Sequence, residues 1–335
     1  MTLSELGDDT VIEYTNDETK LSIRNNTPID TVLHVIAVIS NPCHYKRRIQ
    51  LAREFMNRMK QEACVKLHLV ELAYGNDKFE LNGHTVRTDS HPIWVKESLI
   101  NFAARNILPS DWKAMAWIDA DIEFESDTWA LDTLRILNGS KDIVQLFSHA
   151  VDMSHTEDTM KIFTGFGYQF TKKRKYSDAS AWHPGFAWAC TRQCFEKMGG
   201  LYDLSILGAG DHNMALSLAG LSHKSINKDV SDGYKITVTE FGERCNGLRL
   251  GYVPGVIRHY FHGSKVKRGY GTRWNILVRH KYDPYKDTYR DQNGLVCIKN
   301  TELARDILIY FASRDEDEFM TSVSQKTHIH PSLTK

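Results

Sequence analysis

The sequence predicts an α/β protein built on a largely parallel sheet with helices on both faces. Three observations carry this: short β-branched apolar runs that end in turn residues, helical periodicity directly after them, and recurrence of the pair along the first half of the chain. Thr31 to Ser40 (TVLHVIAVIS) reads as a buried strand closed by Ser40-Asn41-Pro42. Residues 45 to 62 then place Ile49, Ala52, Phe55, Met56 and Met59 on one helical face. Val65 to Leu72 is a second strand, with Glu71 at its end before the turn Tyr74-Gly75-Asn76. Trp94 to Ile107 is helical and stops before Pro109, and Ala114 to Ile118 is a third buried strand that runs into Asp119-Ala120-Asp121.

Beyond Trp129 a helix and the strand Asp142 to Phe147 continue the pattern. A polar stretch of little periodicity follows to about Ala181, carrying Lys172, Lys173, Lys175 and Tyr176, and reads as a functional loop. His183 to Phe195 is apolar again, Met214 to Leu221 is a helix, and Val253 to Tyr260 is a late strand. No internal repeat or low-complexity linker interrupts the chain.

At 335 residues, 41% of them hydrophobic, the chain can bury one large core, so one catalytic unit with appendages is expected. Its formal net charge is zero, which gives no global argument for a polyanionic partner. The balance is uneven: Met1 to Asp30 is acidic and reads as a loosely held polar leader, whereas Arg258 to Lys281 contains no Asp or Glu. Cys43, Cys64, Cys190, Cys194, Cys245 and Cys297 follow no paired CxxC rhythm and read as reduced thiols. No apolar run approaches a membrane span and no signal peptide is apparent, so a soluble cytoplasmic protein is expected, in a bacterial or viral setting, possibilities that include a virus-encoded protein acting in host cytoplasm.

Three constellations point to chemistry. Asp119 and Asp121, spaced i, i+2 directly after a strand, would face the ligand crevice of a parallel sheet, and hard oxygen ligands favour Mg²⁺ or Mn²⁺. The bland alternative is a surface turn. Gly199-Gly200-Leu201-Tyr202-Asp203 and Gly208-Ala209-Gly210-Asp211-His212 let backbone approach a ligand and leave Asp211 unobstructed, or else make Asp211 the N-cap of the next helix. Arg258-His259-Tyr260-Phe261-His262-Gly263-Ser264-Lys265 sets two imidazoles at i, i+3, able to converge on one metal, beside cations suited to a leaving pyrophosphate. The alternative there is a pair of half-buried histidines on a solvated basic face.

In this order, these features resemble the GT-A glycosyltransferases, and the segment around Gly199, Gly200, Gly208, Gly210 and Asp211 is similar to the galactosyltransferase-type C-terminal region. The resemblance spans residues 32 to 282. It departs at Gly210, where the pattern carries an acid. It implies a GT-A (Rossmann-like) three-layer α/β/α sandwich with a mixed, mostly parallel sheet. The implied layout is a leader over 1–30, a catalytic domain over 31–282 (nucleotide half 31–125, acceptor half 126–282), and a C-terminal helical extension and tail over 283–335.

The resemblance further implies a metal-dependent glycosyltransferase, hexosyl or pentosyl, that uses a nucleotide-sugar donor, with UDP the expected carrier. Asp121 would bind Mn²⁺ or Mg²⁺ with His262 and His259, and Asp119 would touch ribose or the metal shell. Asp211 would be the general base of an inverting transfer, and Lys265 would steady the departing diphosphate. Ser40, Asn41, Pro42 and Glu71 fall where the nucleotide is held, and Lys96 and Asn101 where ribose or sugar lies. Trp182, His183, Gly210 and His212 would meet the acceptor beside Asp211, with Phe186 and Trp188 completing an aromatic platform. Arg47 and Arg48 either reach phosphates or line a solvated helix face.

Two rival readings stand beside this one. A metal-dependent nucleotidyltransferase also pairs carboxylates after a strand, but neither GxxxxGK[ST] nor GxGxxG follows the first strand. A non-catalytic carbohydrate-binding protein would need no such constellation of carboxylates and histidines. The acceptor stays open among glycans, free sugars and a hydroxymethylated DNA base. Nucleic acid is the less favoured partner because Lys267, Arg268, Arg273, Arg279 and Lys281 can serve the donor diphosphate instead of a polyanion path.

Overall fold

The computed structural model describes residues 17–172 and 182–320. Helix α1 (Asp17–Arg24) precedes strand β1 (Leu33–Ser40), helix α2 (Lys46–Met59), and strands β2 (Val65–Tyr74) and β3 (His84–Thr88). Helix α3 (Lys96–Asn106) leads into β4 (Ala114–Ile118) and β5 (Ile122–Phe124), then α4 (Trp129–Ile136) and β6 (Ile143–Gln145). Strands β7 (His149–Met153) and β8 (Thr159–Gly165) form a hairpin ahead of α5 (Phe166–Thr171). Next come β9 (Trp182–His183), β10 (Ala187–Thr191), α6 (Arg192–Met198), α7 (Gly210–Leu218) and α8 (Asp232–Cys245). The chain continues with β11 (Leu250–Tyr252), β12 (Val256–His259), α9 (Trp274–Arg279), α10 (Pro284–Asp287), β13 (Thr288–Arg290), β14 (Val296–Ile298) and α11 (Thr301–Ser313).

Seven strands form the central sheet in the order β11-β6-β10-β4-β1-β2-β3. Only β10 runs against its neighbours, so the sheet is mixed and mostly parallel. The pleat of β1 sends Leu33, Val35, Ala37 and Ile39 to one core, with Phe55 and Met59 of α2 and Trp129 and Leu134 of α4. Ile36 points into the other, where Leu99 of α3, Met214 of α7, Phe241 of α8 and Ile307 of α11 converge. Helices therefore cover both faces, as an apolar parallel sheet requires. From β1 the order proceeds to β2 and β3 on one side and to β4 on the other, so the ends of β1 and β4 flank a topological switch point.

Other segments depart from the sequence reading. The polar stretch after Phe147 contains β7, β8 and α5, whose alternation is masked because much of β8 is exposed, Ile162 included. Lys173, Lys175 and Tyr176 lie outside the described residues. In the expected leader, α1 is docked rather than loose: Asn138 Nδ2 donates to the carbonyls of Ser22 at 3.1 Å and Thr27 at 2.9 Å. Residues after 283 contribute Val296, Ile298, Leu303 and Ile307 to the main core instead of extending from it. The six cysteines are free thiols, and no helix among the described residues is long and apolar enough to cross a membrane.

A second, five-stranded sheet has the order β5-β12-β7-β8-β9. In it, β12 lies between β5 and β7, with His259 opposite both Ile122 and Asp152. This register delivers a histidine from late in the chain to the residues that follow β4.

Candidate active site

The ends of β1, β4 and β12 open on one cavity of about 660 Å³. Its lining includes Ser40, Asn41 and Pro42 from β1 and the following turn, Asp119 and Asp121 after β4, and His259, His262 and Lys265. Lys96, Trp182, His183, Asp211 and His212 close its other walls. Residues separated by more than 200 positions thus converge, because parallel β1 and β4 align their carboxyl ends and β12 pairs with β5, which follows β4 directly.

Asp121, His259 and His262 form a group able to hold one cation. His262 Nε2 lies 2.9 Å and His259 Nε2 3.7 Å from Asp121 Oδ2. The opposite ring nitrogens are engaged by carboxylates: His259 Nδ1 is 2.7 Å from Asp152 Oδ1, and His262 Nδ1 is 3.3 Å from Glu316 Oε2. Such pairing fixes the rings with their Nε2 atoms turned to a common point. The other Asp121 oxygen, Oδ1, is buried without a hydrogen-bond partner, the condition expected of a ligand atom. Two imidazoles and a carboxylate suit a divalent transition ion better than Mg²⁺, which favours an all-oxygen shell.

The local charges fit this geometry. Burial works against ionised Asp121, but His259 and His262 override it and hold the carboxyl well below its ordinary range. Burial likewise opposes the charge on Asp152, yet hydrogen bonds from His259 and Lys265 bring it down to about 2. Glu316 is held well below the carboxylate range against its burial, by Arg48 and His262. Asp119, in contrast, is pushed up by burial and by Asp121 despite its ion pair with Lys96. Asp119 was a candidate ligand, but it falls outside the three-residue group and is paired with Lys96 instead.

At the β1 end, Asn41 is locked by its own turn: its side chain donates to Tyr45 O and accepts from Tyr45 N, both at 3.0 Å. Arg48 lines the cavity and donates to Ser40 O at 2.6 Å and to Glu316 at 3.1 Å, whereas Arg47 donates to Phe261 O at 3.0 Å and stays outside. Neither arginine belongs to a merely solvated helix face. Two residues expected to meet the donor are absent from the lining. Glu71 is buried beneath the sheet end, where its carboxylate accepts from the amides of Glu80 at 2.8 Å and Leu81 at 2.9 Å. Asn101 ties α3 to the Gly199-Gly200 turn, donating to Leu201 O at 2.9 Å and accepting from Leu201 N at 2.7 Å.

At the opposite end, Asp211 does not cap α7. Ala209 is the capping position, at φ +80°, and Asp211 stands in the first turn with Oδ1 accepting from His212 N at 2.8 Å. The side chain packs against Gly185, where a Cβ would collide with Asp211 Oδ2, whereas a Cβ at Gly210 would lie 2.5 Å from Glu97 Cδ. Gly210 itself is not in the main cavity, so its expected acceptor contact becomes a packing role. His183 and Phe186 stack at 3.9 Å, and Trp182 meets His212 edge-on at 5.8 Å, giving the cavity an aromatic wall. Trp188 is not part of it: it is buried, with Nε1 donating to Pro184 O at 2.7 Å.

Most of the basic segment is neutralised locally. Arg258 pairs with Glu125, Lys267 with Asp315 at 2.7 Å and Glu318 at 3.1 Å, and Arg279 with Asp306 at 2.6 Å. Lys265, Arg268 and Arg273 line the cavity, which favours use at one bound ligand over a continuous polyanion track. Lys161, Phe163, Asp152, Glu316 and Arg314 are site residues that sequence reading missed. Asp152 sits in a short alternating run and Glu316 in an acid-rich terminal segment that resembles solvated tail, so neither carries a local motif.

His183 gives a pH prediction. Burial drives its pKa down to about 3, from an ordinary value near 6.5. Below about pH 6.5 the unfolded chain takes up a proton that the folded chain refuses, so this contribution is present above that pH and is lost as pH falls toward 3. Urea titrations from pH 7 to 4 should show His183→Gln losing less stability with acidification than wild type, by up to about tenfold in folding constant per pH unit. Parallel curves would contradict a neutral, desolvated His183.

No family model and no curated protein matches this sequence. Among solved structures, the chain is similar to a mutant Drosophila β-1,4-galactosyltransferase 7 in complex with manganese, UDP-Gal and xylobiose, at 11% identity and TM-score 0.38, covering 84% of this chain and 99% of that one. It is similar also to a nucleotide-diphospho-sugar transferase from Desulfovibrio desulfuricans G20, described as putative, at 10% identity and TM-score 0.31, covering 82% and 97%. A third is the galactosyltransferase LgtC in complex with donor and acceptor sugar analogs, at 8% identity and TM-score 0.30, covering 82% and 96%. Scores of this size do not place the chain in a family.

Proposed function

We propose that this protein is a metal-dependent glycosyltransferase of the GT-A type that moves a sugar from a nucleotide-sugar donor to an acceptor hydroxyl. The observation that carries the proposal is the group Asp121, His259 and His262, with the orphaned Asp121 Oδ1, in a cavity that also holds the carboxylate of Asp211. A divalent ion held by those three residues would neutralise diphosphate charge. Ser40, Asn41 and Pro42 frame the nucleotide end, and Lys265, already held by Asp152, supplies a cation toward the departing diphosphate.

Asp211 accepts the proton of the acceptor hydroxyl, and attack from the face opposite the leaving group inverts the anomeric carbon. Stacked His183 and Phe186, with Trp182, offer apolar faces to a sugar ring and exclude water from the reacting centre. The catalytic unit is proposed to include residues 31–282 and the C-terminal segment through Glu316 that packs on it, with 31–125 serving chiefly the nucleotide and 126–282 supplying Asp211 as well as His259, His262 and Lys265. UDP is the proposed carrier and Mn²⁺ the proposed ion.

A nucleotide-sugar panel tests the reading, with Mn²⁺ present or chelated, following binding by calorimetry and slow donor hydrolysis. One donor should bind with Mn²⁺ at least about tenfold more tightly than without it. If no nucleotide sugar binds under either condition, the proposal fails and a non-catalytic role gains.

A further inference from the structure

Glu97, in the first turn of α3, was not anticipated by any motif, and it occupies an unusual position. It is buried, its Oε2 accepts from Trp94 Nε1 at 3.1 Å, and its carboxyl fills the volume that a side chain at position 210 would need. The distances from an ideal Cβ at Gly210 are 2.5 Å to Glu97 Cδ and 2.6 Å to Oε1. Glu97, Gly210, Asp211, Gly185 and Lys96 also border one small void of about 10 Å³ behind the main cavity. An acid from α3 therefore stands where the chain carries glycine immediately before Asp211.

We infer that Glu97 is a positioning residue for Asp211, supplying from α3 the carboxyl that position 210 lacks, and that it holds Trp94 and Asp211 as the two walls of the acceptor end. Trp94 lines the main cavity, so the hydrogen bond from Glu97 sets that wall directly. Asp211 is packed against Gly185 and shares the small void with Glu97, while its carboxylate also lines the main cavity. The groups facing Glu97 are Lys96, Asp119, Asp211 and Tyr234, and burial before all of them lifts its pKa to about 7.

The inference rests on the glycosyltransferase reading for its kinetic arm and on packing alone for its other arm. Glu97→Gln should lower kcat by about 10-fold to 100-fold and leave donor KM within about twofold. Gly210 has no positive φ, so a side chain is permitted there once Glu97 is removed. Gly210→Glu alone should melt well below wild type, and Glu97→Ala/Gly210→Glu should recover both melting temperature and kcat relative to Gly210→Glu. A wild-type kcat in Glu97→Gln, or a double variant no better than the single ones, overturns the inference. If wild type turns over no nucleotide sugar, the glycosyltransferase reading falls by itself. The melting cycle then still decides the spatial exchange: non-additive melting temperatures support it and additive ones overturn it.

Discussion

Asp121→Ala is expected to abolish metal-dependent donor binding, weakening it by more than about 100-fold. Losing a carboxylate that merely orients a metal-bound histidine costs about 10-fold to 100-fold, and Asp121 is placed to contact the ion itself. The loss should be specific, because Asp121 lies on a turn after β4 and its removal leaves the strand register untouched. Calorimetric titration with Mn²⁺ alone and then with donor separates the two affinities. Asp119→Asn is the informative comparison: its partner is Lys96, so Mn²⁺ affinity should survive better there than in Asp121→Ala. Equal loss in the two variants would return Asp119 to the ligand set, and retained Mn²⁺ affinity in Asp121→Ala would dissolve the proposed centre.

Asp211→Asn should have the complementary signature. The amide is nearly isosteric and still fits against Gly185, so folding and donor binding should be unchanged. Transfer should drop by about 10²-fold to 10⁴-fold, the usual contribution of a positioned general base. Single-turnover transfer with pre-bound donor is the measurement. A fall in donor affinity with transfer preserved would assign Asp211 to the donor and leave the base to be found elsewhere.

The fold was legible where the chain alternates apolar strand and amphipathic helix. Leu33 to Ser40 and Ala114 to Ile118 are largely buried on both faces, and such continuous apolar runs are unambiguous when turn residues close them. The second sheet was illegible because β8 is largely exposed and its exposed positions carry both Met160 and Lys161, which erases the alternation that marks a half-buried strand. Asp121, His259 and His262 were legible because each sits at a strand end in a compact motif. Glu71 shows the opposite error. An acid at a strand end resembles a ligand contact, yet here the nearest needy groups are two amides of its own loop. Asp152, Glu316 and Glu97 act only through partners 107, 54 and 113 positions away: His259, His262 and Gly210. No local pattern encodes contacts at such separations.

The acids that close the structure have a consequence for order of assembly. Asp317 accepts from the amides of Lys46 and Arg47 at the start of α2, at 2.9 and 2.8 Å, while neighbouring Glu316 holds His262. During synthesis the first strand, the helix after it and the aspartates after β4 all emerge long before their last partners. The early half must wait with its helix start uncapped and one imidazole unsteered until residue 317 arrives. Ribosome-bound chains halted short of Glu316 would thus hold a sheet while His262 Nδ1 still lacks its carboxylate, so this ring is steered late in synthesis.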